Sequence, residues 1–244
     1  MRDLGVDTSG TFNFKKFTIV QRESTMKVNT DAVLLGAWAP MVPNGGQILD
    51  IGTGTGVIAL MLAQQNPEAS VIGVEIDEKS GNEAKYNAEL SVFSDRVRIV
   101  IDSIQHHVSA SEEKFDLIIT NPPFFSGGTH STNENKLHVR HSVKLPHNDL
   151  IRAVNHLLKQ DGVFSLILPY IEGLRFVELA TIAGLNLIKK TEVYSIEGKS
   201  PERLLMSFSR LPGQLEVDSL NIRDRNNVYT EEYKQLTREF YLNF

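Results

Sequence analysis

Between residues 47 and 168 the sequence alternates two kinds of segment, and this alternation restricts the fold more than any other feature. Short runs that are apolar almost throughout, at Gln47–Ile51, Ser70–Glu75, Val97–Ile101, Phe115–Thr120 and 162–168, are separated by stretches with helical spacing at 56–65, 77–90 and 146–158. Strands that are apolar on both faces, joined by amphipathic helices, specify an α/β fold: a mostly parallel sheet with helices on both faces. Such a sheet binds ligands outside the carboxyl ends of its strands, where the strand order reverses. The polar residues worth attention fall at those ends.

The flanks extend this plan. Residues 12–21 alternate and are aromatic, which predicts a small hairpin or cover. Thr30 is placed as the N-cap of a helix over 31–39 that Pro40 stops. Beyond Glu172 a helix to about Ala183 is followed by β-rich stretches at 185–196 and 204–211. The seven residues between them are too few for a crossover helix, so these strands are expected to pair antiparallel. At the end Thr230 caps a helix with Glu231 and Glu232 in its first turn and Tyr233, Leu236, Phe240 and Tyr241 on one face. One large domain with a short appendage is expected: residues 1–40 as a hairpin and helix covering the site, and 41–244 as the α/β domain with its carboxyl-terminal helix.

Composition closes off several chemistries. The chain of 244 residues has no cysteine, which removes disulfides, thiolate nucleophiles and Cys-ligated metal sites. No signal-peptide core and no apolar run long enough to span a bilayer is present, so a cytoplasmic protein with no membrane partner is expected. Net charge is −5, but residues 48–120 hold 12 acids against 5 bases, leaving a net +2 elsewhere. An acidic core with mildly basic extensions is compatible with a polyanion docking at one edge, and equally with ordinary solvated surface.

The first strand runs into Asp50-Ile51-Gly52-Thr53-Gly54-Thr55-Gly56. Glycines here let the backbone approach a ligand closely. The third glycine comes one residue too early for the dinucleotide fingerprint, and Asp50 would repel a pyrophosphate while suiting an ammonium group, directly or through water. Glu75 ends the second strand, where a carboxylate can take both ribose hydroxyls. The third ends in Asp102-Ser103, with Asp102 placed to accept from an adenine amine. One strand end each for an amino acid, a ribose and an adenine describes S-adenosyl-L-methionine.

The fourth strand ends in Asn121-Pro122-Pro123-Phe124. Proline forces Asn121 extended, and the two prolines fix the turn at little entropic cost. The Asn amide oxygen and the Pro122 carbonyl can then face inward as acceptors for a planar NH2 group, with the aromatic against its flat face. Taken alone, the same four residues are also an ordinary Asn-Pro turn with a core phenylalanine.

With these residues in place the chain resembles the class I methyltransferases that modify exocyclic amines, whose Rossmann-like sheet has seven mostly parallel strands and an antiparallel last strand. Phe14-Lys15-Lys16-Phe17, the block from Met26 to Pro40 and the ending with Phe240-Tyr241-Leu242 are similar to the bacterial valine-tRNA (adenine-37-N6) methyltransferases. Members of that family often carry glycine at the place of Asn29, a residue that tolerates left-handed backbone. The resemblance implies methylation of adenine N6 beside the anticodon, with Asn121, Pro122 and Phe124 on the base. It assigns Asp50, Gly52, Thr53, Gly54, Gly56, Glu75, Asp102, Ser103 and Asn121 to the cofactor, with Lys27 and Thr30 in a segment closing over its methionine end.

Under that reading, acceptors on N6 localise its lone pair toward the sulfonium methyl, and orientation rather than a strong base supplies the rate. His106 and His107 are expected as surface residues, not bases. His138 and His141 have a metal-like spacing without enough convergent ligands, so no metal is expected. Lys15, Lys16, Arg140 and Lys144 are candidates for phosphate contacts and Phe125 for a second stacking surface. The partner is a tRNA, with no obligate protein partner implied. A protein glutamine N5-methyltransferase and a guanine-N2 rRNA methyltransferase are the enzyme alternatives, and an S-adenosylmethionine-binding RNA module the non-enzyme one. RNA rather than DNA rests on the resemblance.

Overall fold

The computed structural model describes residues 10–122 and 145–243. An antiparallel pair, β1 (Thr11–Asn13) and β2 (Thr18–Val20), opens it with Thr11 opposite Val20, as the aromatic alternation predicts. Helix α1 (Thr30–Trp38) follows, and its cap differs from expectation. Asn29, not Thr30, is the N-cap: its Oδ1 accepts from the Ala32 N–H at 2.9 Å, and its φ of −139° is extended rather than left-handed. Thr30 is already inside the helix.

The main sheet contains β3 (Gln47–Ile51), β4 (Ser70–Glu75), β5 (Val97–Ile101), β6 (Phe115–Thr120), β7 (Leu158–Pro169), β8 (Asn186–Ile196), β9 (Arg203–Ser209) and β10 (Glu216–Arg223). Their spatial order is β10-β8-β9-β7-β6-β3-β4-β5. Strand β9 is antiparallel to both β7 and β8, and every other neighbouring pair is parallel. Seven of these strands are those expected. The eighth, β10, adds itself to the outer edge of β8, where it lies mostly exposed with only Leu220 buried. The strand order reverses between β3 and β6, so the ends of these two strands frame the crevice.

Helices cover both faces. On one side α1, α2 (Val57–Gln65), α3 (Glu78–Leu90) and α7 (Glu231–Thr237) bury Leu34, Leu35, Leu60, Met61 and Tyr233 against Ile48 and Val71. Close packing has a local cause: a side chain on Gly36 would stand 2.8 Å from Met61 Sδ, so the glycine lets α1 lie on α2. On the other side α4 (Ile104–Ala110), α5 (His147–Leu157) and α6 (Tyr170–Ile182) cover Leu49, Phe164, Phe208 and Leu166. Helix α4 was not foreseen: its seven residues are too few to show periodicity. Thr230 caps α7 as predicted, accepting from the Tyr233 N–H. That helix ends at Thr237, yet Leu236, Phe240 and Tyr241 still pack in the same layer.

The two ends of the described chain meet. Phe14 forms a bridge with Tyr241, the Lys15 N–H donates to the Phe240 carbonyl at 2.9 Å, and Phe14 stacks against Phe17 and Tyr241. Among the described residues no helix is long and apolar enough to cross a membrane.

Candidate active site

Strand β3 delivers its carboxyl end into a turn that leans on β4. The N–H groups of Gly52 and Thr53 both donate to the Val74 carbonyl, at 2.8 and 3.1 Å. Gly52, Gly54 and Gly56 have φ of 70°, 56° and 82°, the left-handed region that costs any other residue strain. A side chain built on Gly52 or Gly54 would meet nothing within 4 Å, so the face of this turn that lacks side chains opens into free space.

Asp50 lies fully buried beneath the turn. Its Oδ2 accepts from the Thr53 hydroxyl at 2.6 Å, while Oδ1 is buried with no hydrogen-bond partner. Burial pushes its carboxyl up to about 7, reinforced by the charge of Glu75 and opposed by the Thr53 hydrogen bond. Glu75 is a clamp between two backbones: Oε2 accepts from the Gly54 N–H and Oε1 from the Asp77 N–H, both at 2.9 Å. Each oxygen keeps the capacity to accept a further hydrogen bond.

The next strand end is fixed to this one, because the Asp102 N–H donates to the Glu75 carbonyl at 2.9 Å. Asp102 accepts from its neighbour's N–H at Ser103, and its Oδ2 lies 2.6 Å from His106 Nδ1. That imidazole holds the Asp102 carboxyl below the usual range against the opposing effect of desolvation, aided by the Ser103 N–H. Ser103 caps α4 through the His106 N–H. His106 is exposed as expected, but His107 is not a surface residue: it is buried, and its Nε2 has no partner. Amphipathic α4 turns consecutive histidines to opposite environments.

Asn121 follows β6 directly beside β3. Thr120 pairs with Ile51, and its hydroxyl donates to the Ile51 carbonyl at 2.8 Å. Asn121 and Pro122 are buried, and Asn121 Oδ1 is a second buried oxygen with no partner. The two neighbouring strands at the reversal thus each end in an acceptor that no described residue satisfies, an expensive arrangement in a folded protein. These unmet acceptors, with the open turn between them, fit a ligand carrying an ammonium group and a second one carrying an amine.

Lys27 is exposed on the segment leading into α1, and Thr30 is exposed in its first turn. Lys15 and Lys16 lie between β1 and β2, where Lys15 Nζ donates to the Arg238 carbonyl at 2.5 Å. Phe124, Phe125, His138, Arg140, His141 and Lys144 lie outside the described residues. Beside these acids stands Ile76, an apolar residue 44% exposed immediately after Glu75, which sequence reasoning did not single out. Among the described residues no group of three or more His, Asp or Glu side chains is placed to hold a metal ion. A cleft of about 740 Å³ opens at the opposite, amino end of the strands, lined by Gln47, Ser70, Val97 and Phe115, and contains none of the residues above.

Comparison with known proteins points the same way. The family model described as "Methyltransferase small domain" matches residues 28–196. The tRNA1(Val) (adenine(37)-N6)-methyltransferase of Histophilus somni strain 2336 is 41% identical over 234 residues, covering 96% of this chain and 98% of that protein. The Flavobacterium psychrophilum protein of the same name is 42% identical over 231 residues, covering 95% and 99%. Among solved structures, a protein described as a predicted O-methyltransferase from Agrobacterium tumefaciens superposes with a TM-score of 0.68 at 20% identity, over 86% of this chain and 96% of that one. TrmN from Thermus thermophilus gives 0.51 at 24% identity, over 74% of this chain and 47% of that one. These two likenesses concern the fold.

Proposed function

The chain belongs to the tRNA1(Val) (adenine(37)-N6)-methyltransferase family, and from that premise we infer that it methylates the exocyclic N6 of adenine 37 in the anticodon loop of a valine tRNA. S-adenosyl-L-methionine, when bound, supplies the methyl group on a positively charged sulfur. The chain's own residues bind and orient. Asp50 receives the ammonium end of the cofactor, directly or through water, and the turn of Gly52, Thr53, Gly54 and Gly56 lies against its methionine portion. Glu75 accepts from the ribose hydroxyls. Asp102 accepts from the adenine amine, with Ser103 beside it, and Ile76 offers an apolar surface to the adenine ring. Lys27 and Thr30 border the methionine end as part of residues 1–40, which cover the site.

The observation that carries the reading is the buried Oδ1 of Asn121, which has no partner among the described residues. An amide oxygen held in place without a partner is preorganised for an N–H that arrives with the substrate. In adenine the N6 lone pair is delocalised into the ring and poorly nucleophilic. Hydrogen bonds from N6 to Asn121 Oδ1 and to the Pro122 carbonyl favour a pyramidal nitrogen and aim its lone pair at the methyl group. The proton leaves after transfer, when N6 is cationic and acidic, so no dedicated base is needed. Phe124 is the candidate for stacking on the base. Taking adenine out of its stack costs little in an anticodon loop.

Phosphate contacts are assigned to Lys15, Lys16, Arg140 and Lys144, and a second stacking surface to Phe125. The protein acts in the cytoplasm and without an obligate protein partner. The test is transfer of labelled methyl from S-adenosylmethionine into bacterial tRNA lacking this modification, followed by nucleoside analysis, with ribosomal RNA, DNA and protein extract as parallel acceptors. Label in N6-methyladenosine of a valine tRNA supports the reading. Label in protein glutamine or in N2-methylguanosine replaces the substrate.

A further inference from the structure

Three side chains on one face of α3 grip the backbone that leads from β2 to α1. Glu83 places both carboxylate oxygens on it. Oε1 accepts from the N–H groups of Arg22 at 2.6 Å and Glu23 at 3.1 Å. Oε2 accepts from the Ser24 N–H at 2.9 Å and the Ser24 hydroxyl at 2.5 Å. Burial alone would raise the Glu83 carboxyl, but the Ser24 hydroxyl and the three backbone donors outweigh it and hold it below its ordinary range, so the anchor is charged. Ser80 Oγ accepts from the Thr25 N–H at 3.4 Å.

Asn87, one turn further along α3, is fully buried and joins two segments that the chain order keeps apart. Its Oδ1 accepts from the Val20 N–H and its Nδ2 donates to the Val20 carbonyl, both at 2.8 Å. The same Nδ2 donates to the carbonyl of Thr55 at 2.9 Å. Thr55 belongs to the glycine turn, so one amide holds the amino-terminal hairpin and the cofactor turn in a single register.

The far end of this segment is also tied to the rim. Asp31 pairs with Arg203 at 2.8 Å. Because β9 runs antiparallel, Arg203, its first residue, stands opposite Pro169 at the end of β7. In the sheet, β7, β6 and β3 lie between β9 and β4. Residues 22–31 therefore form a strap from α3, which follows β4, to β9, passing the strand ends that carry the glycine turn and Asn121.

We propose that Asn87 and Glu83 are positioning residues for the cofactor, which set strap and glycine turn as one preorganised piece. This rests on the reading that the turn holds S-adenosylmethionine. Three glycines with left-handed backbone make a turn that is entropically costly to order. A turn already held by the Asn87 amide spares the ligand that cost.

The experiment is calorimetric titration of the full chain with S-adenosylhomocysteine, together with steady-state kinetics on tRNA, for the wild type, Asn87→Ala and Glu83→Gln. Asn87→Ala is expected to raise the Kd about thirtyfold, with KM for S-adenosylmethionine rising in parallel and kcat at saturation within about threefold. Glu83→Gln, which keeps the side-chain shape but removes the charge and turns one acceptor into a donor facing other donors, is expected to raise the Kd about fivefold. A merely structural role lowers the melting temperature and the binding stoichiometry while the Kd stays put, and that result overturns the proposal. Should Asn87→Ala fail to fold, Glu83→Gln decides: an unchanged Kd overturns it, a raised one with stoichiometry intact upholds it. A wild type that does not bind S-adenosylhomocysteine removes the cofactor reading itself, a failure visible before any variant is made.

Discussion

The hydroxyl of Thr53 donates to Oδ2 of Asp50 at 2.6 Å, and the other oxygen of that carboxylate, equally sealed from water, has no hydrogen-bond partner within bonding distance among the described residues. Half of the carboxylate is occupied in fixing the turn above it. The other half stands ready for a cation, in a place that pushes the group up to about 7.

Cofactor binding should therefore depend on pH. Below about 7 Asp50 is protonated in the empty protein, and a bound ammonium group requires it deprotonated. Affinity for S-adenosylmethionine is expected to fall by about tenfold per pH unit between pH 7 and 5.5, with proton release on binding, measured by calorimetry in buffers of different ionisation enthalpy. Asp50→Asn should bind more weakly and flatten this profile. The sign carries over to folding: from the ordinary value of 3.8 up to about 7, the empty folded chain holds a proton that the unfolded chain has lost. Asp50 thus lowers stability as pH rises through that window, and a profile of equal slope in Asp50→Asn would count against this account.

Removing the acceptor at Asn121 should act on the chemical step. Asn121→Ala is expected to lower kcat by at least about a hundredfold, the range found when one preorganised hydrogen-bond partner is lost, with S-adenosylhomocysteine affinity changed by no more than a few-fold. Near wild-type turnover in that variant would sink the proposed role.

Gly52→Ala tests the turn separately from its surroundings. Since no atom stands within 4 Å of the added methyl, the cost is backbone strain at φ 70° alone. A loss of about 1–2 kcal/mol is expected, seen as a melting temperature lower by about 2–8 °C, together with weaker cofactor binding.

His107 should make the protein acid-sensitive. Burial, with Arg98 and His106 against Glu113 and Asp102, holds its imidazole below the ordinary 6.5. The unfolded chain then binds the proton first, so stability is lost as pH falls below 6.5. The melting temperature of His107→Leu should fall less steeply than that of the wild type from pH 7 to pH 5.

The cap of α1 can be assigned by paired substitutions. Asn29→Ala is expected to cost about 1 kcal/mol through the lost bond to the Ala32 N–H, and Thr30→Ala less than about 0.5 kcal/mol. A larger loss in Thr30→Ala than in Asn29→Ala in thermal unfolding would return the cap to Thr30.

Much of this was legible in sequence because its cause is local. Strands β3 to β6 fall at the predicted bounds, since a run such as Phe115–Thr120, apolar but for Asp116 and Thr120, suits the interior of a parallel sheet and little else. The acids at the strand ends and Asn121 were visible for the same reason, as polar residues terminating apolar runs. What escaped depends on contacts between distant segments. Nothing in the run around Asn87 announces that its amide will meet Val20 and Thr55. Thr30 and Asn29 are both good caps, and only the bond to Ala32 chooses. Strand β10 leaves Val217 exposed and buries Leu220, so its apolar residues break the two-residue alternation that would have marked it.

The bridge between Phe14 and Tyr241 also bears on the order in which the molecule assembles. A chain made from its amino end exposes Phe12 and Phe14 long before Phe240 and Tyr241 exist. The hairpin must wait, part of its aromatic surface uncovered, until Phe240 and Tyr241 have left the ribosome. A nascent chain that stops short of Tyr241 therefore cannot finish packing this hairpin, and the joint closes only after more than two hundred further residues have been added.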